Sequence, residues 1–171
     1  LRDNKFSENN LKKEASNFGI DPSRLIFAEK LEINQHLSRL KFADLFLDTY
    51  PYGAHTTCSN ALRMGLPVVT LAGDSFASRV SASLLNSINL NELVTDNLEN
   101  YEKLAIGISS DEKFFIEIKN KIKLQIKSSN LFKPEVFTKN LEKAYKLIYE
   151  NYLEGNNCLL YTSPSPRDQE A

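Results

Sequence analysis

Apolar positions along this chain recur in two periods, and their alternation predicts the architecture. In residues 7–17, Leu11 and Ala15, with Phe18 beyond, return at helical spacing; Ser7 is placed to cap the start and Gly19 to close the end in the left-handed conformation. Asp21-Pro22 reads as a turn. Residues 24–28 form a short apolar run between turn signals and predict a buried strand. Residues 33–40 predict a short helix, and 42–48 a second strand that ends in the turn Tyr50-Pro51-Tyr52-Gly53. Residues 56–64 return to helical spacing, with Gly65 at the C-cap and Pro67 just beyond. Residues 68–71 predict a third buried strand, and Ser75 caps a helix reaching Asn86.

The rest is mostly helical. Residues 92–94 suggest a short fourth strand, and 97–108 and 110–127 suggest helices, although 119–126 alternates in a strand-like way. Pro134 suits the first position of a last helix, whose apolar stripe is Phe137, Leu141, Ala144, Ile148 and Tyr152. Short apolar strands alternating with helices predict an α/β fold: a Rossmann-like parallel sheet with helices on both faces and right-handed crossovers.

Composition narrows the class. The chain has 171 residues, which suits one domain; 42% are hydrophobic, enough for one core. A net charge of −1 provides no electrostatic footprint for nucleic acid, so any anionic ligand must be held by local geometry. No apolar run approaches the roughly 18 residues that span a bilayer, and no signal peptide is visible, so neither nucleic acid nor membrane is an expected partner. Cys58 and Cys158 form no metal spacing and suggest a reducing, cytoplasmic setting. The opening at Leu1, at the approach to a helix, suggests an N-terminally truncated domain over residues 1–154. Residues 155–171 turn polar and Pro-rich, which predicts a disordered tail or foreign sequence joined to a shortened frame.

Ligands of open parallel sheets bind beyond the carboxyl ends of the strands. Three loops qualify: residues 29–34, 49–57 and 72–75. The middle loop is the richest. The free N–H groups of a helix starting at Thr56 make an anion site without a cationic side chain. Thr56 and Thr57 add hydroxyls, and His55 adds a ring donor. Spacing alone leaves a plainer alternative open, in which a threonine merely caps the helix and His55 is a loop histidine. His36, the other histidine, falls on the same sheet edge. Cys58 sits in a first helical turn, where a thiolate is favoured, but with no base placed near it reads as a packed small residue. Asp48 reads as turn-forming, with catalysis as the alternative. Arg79 reads as a phosphate or carboxylate ligand, or as a structural or solvated charge.

Several ordered blocks carry a resemblance. Residues 43–57, with Asp48-Thr49-Tyr50-Pro51 and Gly53-Ala54-His55-Thr56-Thr57, are similar to the catalytic region of the protein O-GlcNAc transferase and Spindly family. So are residues 61–70, with Gly65-Leu66-Pro67; residues 73–85, with Ser78-Arg79-Val80; and Ser129-Asn130-Leu131-Phe132. The resemblance covers about residues 1–154, and ordered blocks in one register are far more specific than a lone motif.

The resemblance implies the C-terminal half of a GT-B glycosyltransferase, a nucleotide-sugar-binding domain that in its parent follows tetratricopeptide repeats. It implies transfer of N-acetylglucosamine from UDP-GlcNAc to Ser or Thr hydroxyls of proteins, with no metal and no other cofactor. His55, Thr56 and Thr57 then fall at the diphosphate, His36 beside the uridine, the Leu31 backbone at the uracil, and Asn60 at the ribose. Asn60 replaces an aspartate common in relatives, and Ile33 replaces a lysine of animal relatives. The family's catalytic lysine maps upstream, so no catalytic residue is expected within this chain and the chain alone should be inactive. The alternatives are a GDP-fucose-using Spindly-like transferase, a non-catalytic nucleotide-binding module, and a purely structural α/β domain.

Overall fold

The computed structural model describes residues 4–155. Its core is a three-stranded parallel sheet in the order β1 (Phe46–Leu47), β2 (Val68–Leu71), β3 (Val94–Thr95). Phe46 pairs with Val68 and Leu47 with Val69; Thr70 pairs with Val94 and Leu71 with Thr95. β2 lies in the middle with all four residues buried, as an unbroken apolar run in a parallel sheet should be. Each crossover carries one helix: α3 (Thr56–Arg63) between β1 and β2, and α4 (Phe76–Ser87) between β2 and β3. The earlier helices are α1 (Lys5–Asn17) and α2 (Ile33–Arg39). Three more follow the sheet: α5 (Leu98–Ser110), α6 (Glu112–Ser128) and α7 (Pro134–Leu153).

The core is built where these elements meet. Cys58, Ala61 and Leu62 of α3 pack with Val68 and Val69 of β2, Leu85 of α4, Ile108 of α5, and Ile118 and Ile122 of α6. Each large buried aliphatic contributes about 1.5–3 kcal/mol of apolar transfer. Gly65 ends α3 at φ +76°, a conformation that costs glycine no Cβ clash.

The structure departs from the sequence pattern in several places. Residues 24–28 are not a strand: Pro22–Arg24 makes a 3-10 turn, and the run beyond it pairs with no strand. Leu25 and Phe27 are half-buried but Ile26 is 89% exposed, so the run covers one side only. The second strand shrinks from residues 42–48 to Phe46–Leu47, because Leu40–Phe42 closes a 3-10 turn and leaves Phe42 in solvent. The fourth predicted strand starts later, at Val94, after a 3-10 turn at Asn91–Leu93. α1 starts at Lys5, capped by Asn4 rather than Ser7, and it buries no residue. The strand-like alternation of residues 119–126 yields to α6, which Asp111 caps and which buries Ile118 and Ile122 at i,i+4 spacing. α7 forms as the pattern predicts, with Pro134 in its first turn, but its stripe stays largely uncovered, Phe137 at 66% exposure and Tyr152 at 74%. The expected tail, with Cys158, lies outside the described residues apart from Gly155.

Candidate functional site

β1 ends at Leu47, and the chain then turns through residues 48–55 into α3. His55 is the N-cap residue of α3, at φ −110° and ψ −94°, and no side chain caps the helix. The side-chain-capped starts look different: Asn4, Ser75 and Asn97 hold ψ near the extended value, at 162°, 154° and 162°, and each accepts a backbone N–H. Thr56 and Thr57 are exposed, and neither caps the helix, so the plainer alternative left open by the spacing does not hold. The first N–H groups of α3 thus keep their positive end of the helix dipole unclaimed by any side chain.

The His55 ring is held on two sides. Tyr52 stacks on it at 5.4 Å between centroids, and Phe76 meets it edge-on at 5.8 Å. Its Nε2 is closed off from solvent and has no hydrogen-bond partner. Such a ring nitrogen is costly to leave alone.

The other edge residues lie on α2 and in the loop before it. His36 is half-buried on α2, and Arg39 Nη2 lies 2.8 Å from its Nδ1. A guanidinium can only donate, so Nδ1 accepts and a neutral His36 carries its proton on Nε2. Arg39 Nη1 also donates to the Glu29 carbonyl at 2.6 Å, tying the 29–34 loop to α2. Leu31 is 41% exposed in that loop. Glu32 opens α2 without a side-chain cap, so α2 and α3 both begin uncapped. Asn60 is half-buried on α3, one turn beyond Thr56 and Thr57.

The third loop closes on itself. Ser75 Oγ accepts the Ser78 N–H at 3.3 Å, Ser78 Oγ donates to the Ser75 carbonyl at 2.9 Å, and Arg79 donates to the Gly73 carbonyl at 3.0 Å. Arg79 is therefore committed to its own loop. Asp48 is turn-forming, as its position suggests: its carboxylate accepts from Thr49 N and Ala54 N, and it is buried. Cys58 is fully buried; burial pushes its thiol up to about 11, partly offset by a Ser81 hydrogen bond, with the Asp48 charge adding to the rise. The packed-residue reading of Cys58 holds, and it is a free thiol. Burial, and secondarily the Asp48 charge, also raise the Tyr101 phenol.

Some contributors escaped sequence reasoning. Arg39 sits three residues after His36 on one helix, a spacing that puts the pair on one face. Tyr101 donates to the Asp48 carbonyl at 2.8 Å across 53 positions of sequence, and Ser81 donates to the Ala54 carbonyl at 2.7 Å across 27; no local pattern reveals either. Among the described residues, no three His, Cys, Asp or Glu side chains cluster as a metal site, and no helix is long and apolar enough to cross a membrane.

Parallel strands that feed helices across right-handed crossovers, with loops gathered beyond their carboxyl ends, define a Rossmann-like α/β unit. The family model described as Glycosyl transferase family 41 matches residues 1–141, and the chain belongs to that family. A probable UDP-N-acetylglucosamine–peptide N-acetylglucosaminyltransferase SPINDLY of Petunia hybrida is 32% identical over 139 residues, 81% of this chain and 15% of its own length. The UDP-N-acetylglucosamine–peptide N-acetylglucosaminyltransferase of Caenorhabditis elegans is 35% identical over 104 residues, 61% of this chain and 9% of its own. Among solved structures, a mutant of the Thermobaculum terrenum O-GlcNAc transferase, a GT-B glycosyltransferase, superposes with a TM-score of 0.77 at 31% identity, over 83% of this chain and 27% of that one. The chain thus spans a small part of the relatives it matches.

Proposed function

We propose that this chain holds the donor in a glycosyltransferase that moves N-acetylglucosamine from UDP-GlcNAc to Ser or Thr hydroxyls of cytoplasmic proteins. The observation that carries this reading is the start of α3. It lies beyond the carboxyl end of β1, lacks a side-chain cap, exposes Thr56 and Thr57, and leaves His55 Nε2 unpartnered. In a family 41 chain, that start is suited to a diphosphate. Backbone N–H groups and two hydroxyls meet its oxygens, and the helix dipole opposes its charge. The same groups stabilise the negative charge that grows on the diphosphate as the sugar leaves, a role that needs no metal ion. His36 supplies an Nε2 donor towards the nucleobase, the Leu31 backbone supplies a further contact there, and Asn60 accepts a ribose hydroxyl without an aspartate's charge.

The names of the Petunia and Caenorhabditis relatives both carry UDP-N-acetylglucosamine, which favours UDP over the GDP of a fucose donor. Calorimetric titration of the 171-residue chain with UDP and with GDP tests the reading. UDP binds more tightly than GDP if it is right. Tighter GDP binding contradicts the donor assignment, and no binding of either nucleotide contradicts the site.

A further inference from the structure

The buried carboxylate of Asp48 is the one charged side chain in the turn between β1 and α3, and donor binding as described gives it no contact with the ligand. All of its acceptor capacity is directed inwards. Oδ1 accepts from Ala54 N at 2.7 Å and from Thr49 N at 2.9 Å, and Oδ2 accepts from the Thr70 hydroxyl of β2 at 2.8 Å. Thr70 is fixed in turn, because Thr95 of β3 donates to its carbonyl at 2.9 Å. Tyr101 of α5 donates to the Asp48 carbonyl at 2.8 Å. The far side of the turn is held by Gly53 N donating to Ala77 O at 3.0 Å and Ser81 Oγ donating to Ala54 O at 2.7 Å. A Cβ on Gly53 would stand 3.1 Å from Asp48 Oδ2 and 3.0 Å from Ala77 O, so only glycine lets the turn wrap the carboxylate this closely.

We propose that Asp48 is a positioning residue for the nucleotide-sugar diphosphate: it ties Ala54, the residue before the α3 N-cap, to the middle strand and so sets where His55, Thr56 and Thr57 stand. The inference rests on the donor-site reading above. Ala54 is gripped at both ends, its N–H by Asp48 and its carbonyl by Ser81, immediately before the helix start. Three donors satisfy the carboxylate, so its charge is spent on the protein rather than facing the ligand. Without it, Ala54 N, Thr49 N and the Thr70 hydroxyl lose their common acceptor and the turn loses its link to β2.

The test is UDP affinity of the 171-residue chain, measured by calorimetry beside the melting temperature of each variant. Asp48→Ala weakens UDP binding by about 10–30-fold, whereas Asp48→Asn, which keeps an acceptor for Ala54 N, stays within about 3-fold of the wild type. Thr70→Val removes the strand link alone and weakens UDP about 3-fold, providing the same test should Asp48→Ala fail to fold. Ile122→Val lowers the melting temperature by a core change away from the turn and leaves UDP affinity unchanged, which separates positioning from general stability. If the wild type binds UDP and folded Asp48→Ala or Thr70→Val binds it equally well, the inference is overturned and the donor site survives. If the wild type itself binds no UDP, the donor-site reading falls and the inference falls with it.

Discussion

α3 follows β1 and α4 follows β2, so the two helices begin at neighbouring points beyond one end of a parallel sheet. They treat that position in opposite ways. α4 starts on Ser75, in extended backbone, and its first turn is bound by the Ser75 and Ser78 hydroxyls while Arg79 holds the Gly73 carbonyl. α3 starts on His55 at ψ −94°, with no side-chain cap and two exposed threonines. A helix start that satisfies itself has little left for a ligand. One that does not is either unstable or held by other means, and the turn before α3 is held by hydrogen bonds to Asp48 and Ser81. The contrast separates a structural helix start from a binding one within a single sheet edge.

Changes at the two starts should therefore have different consequences. The largest effect is expected from His55→Asp. A carboxylate at the diphosphate position lowers UDP affinity by about 100-fold or more, through charge repulsion and loss of the ring. Its melting temperature should change little, since His55 caps nothing; a large loss of stability with UDP binding intact would erase the contrast. Next comes Cys58, which lies in the open helix's first turn yet is sealed in the core. Its thiol is raised from 9.0 to about 11, so the fold prefers the protonated form. That stabilisation is fully present below pH 9 and is lost as pH rises through 11, on the order of 2–3 kcal/mol by linkage. Urea melts between pH 8 and 11 check this, with Cys58→Ala losing the extra slope.

Gly73→Ala acts on the closed start. A Cβ there would lie 2.6 Å from Ser78 Oγ and 2.9 Å from Tyr50, costing about 1–3 kcal/mol in denaturant unfolding. The smallest effect is that of Ser75→Ala, about 1 kcal/mol of stability from the lost cap with UDP affinity unchanged. Reduced UDP binding in Ser75→Ala would mean that the α4 start also serves the ligand.

Much of this was legible in the sequence. Unbroken apolar residues marked β2, Gly65 marked the end of α3, and Ser75, Asn97 and Pro134 marked helix starts, because each of these rests on local chemistry. The strand expected over residues 24–28 failed because an apolar run becomes a strand only if a neighbouring backbone pairs with it, which no local pattern encodes. The candidate site was legible as a turn with suitable residue types. That His55 rather than a threonine takes the N-cap follows from how the turn is tethered. Those tethers run from Asp48 to Thr70 and Tyr101, 22 and 53 positions away. Only the fold brings them together.

The most direct test of the α3 start as the diphosphate site is a titration of the isotope-labelled chain with UDP, followed through its backbone amide resonances. The account predicts that the Thr56, Thr57 and Cys58 amides shift most and saturate with one affinity, while the Ala77 and Ser78 amides at the α4 start move far less. Unmoved α3 amides in a chain that binds UDP, or larger shifts at the α4 start, would contradict it.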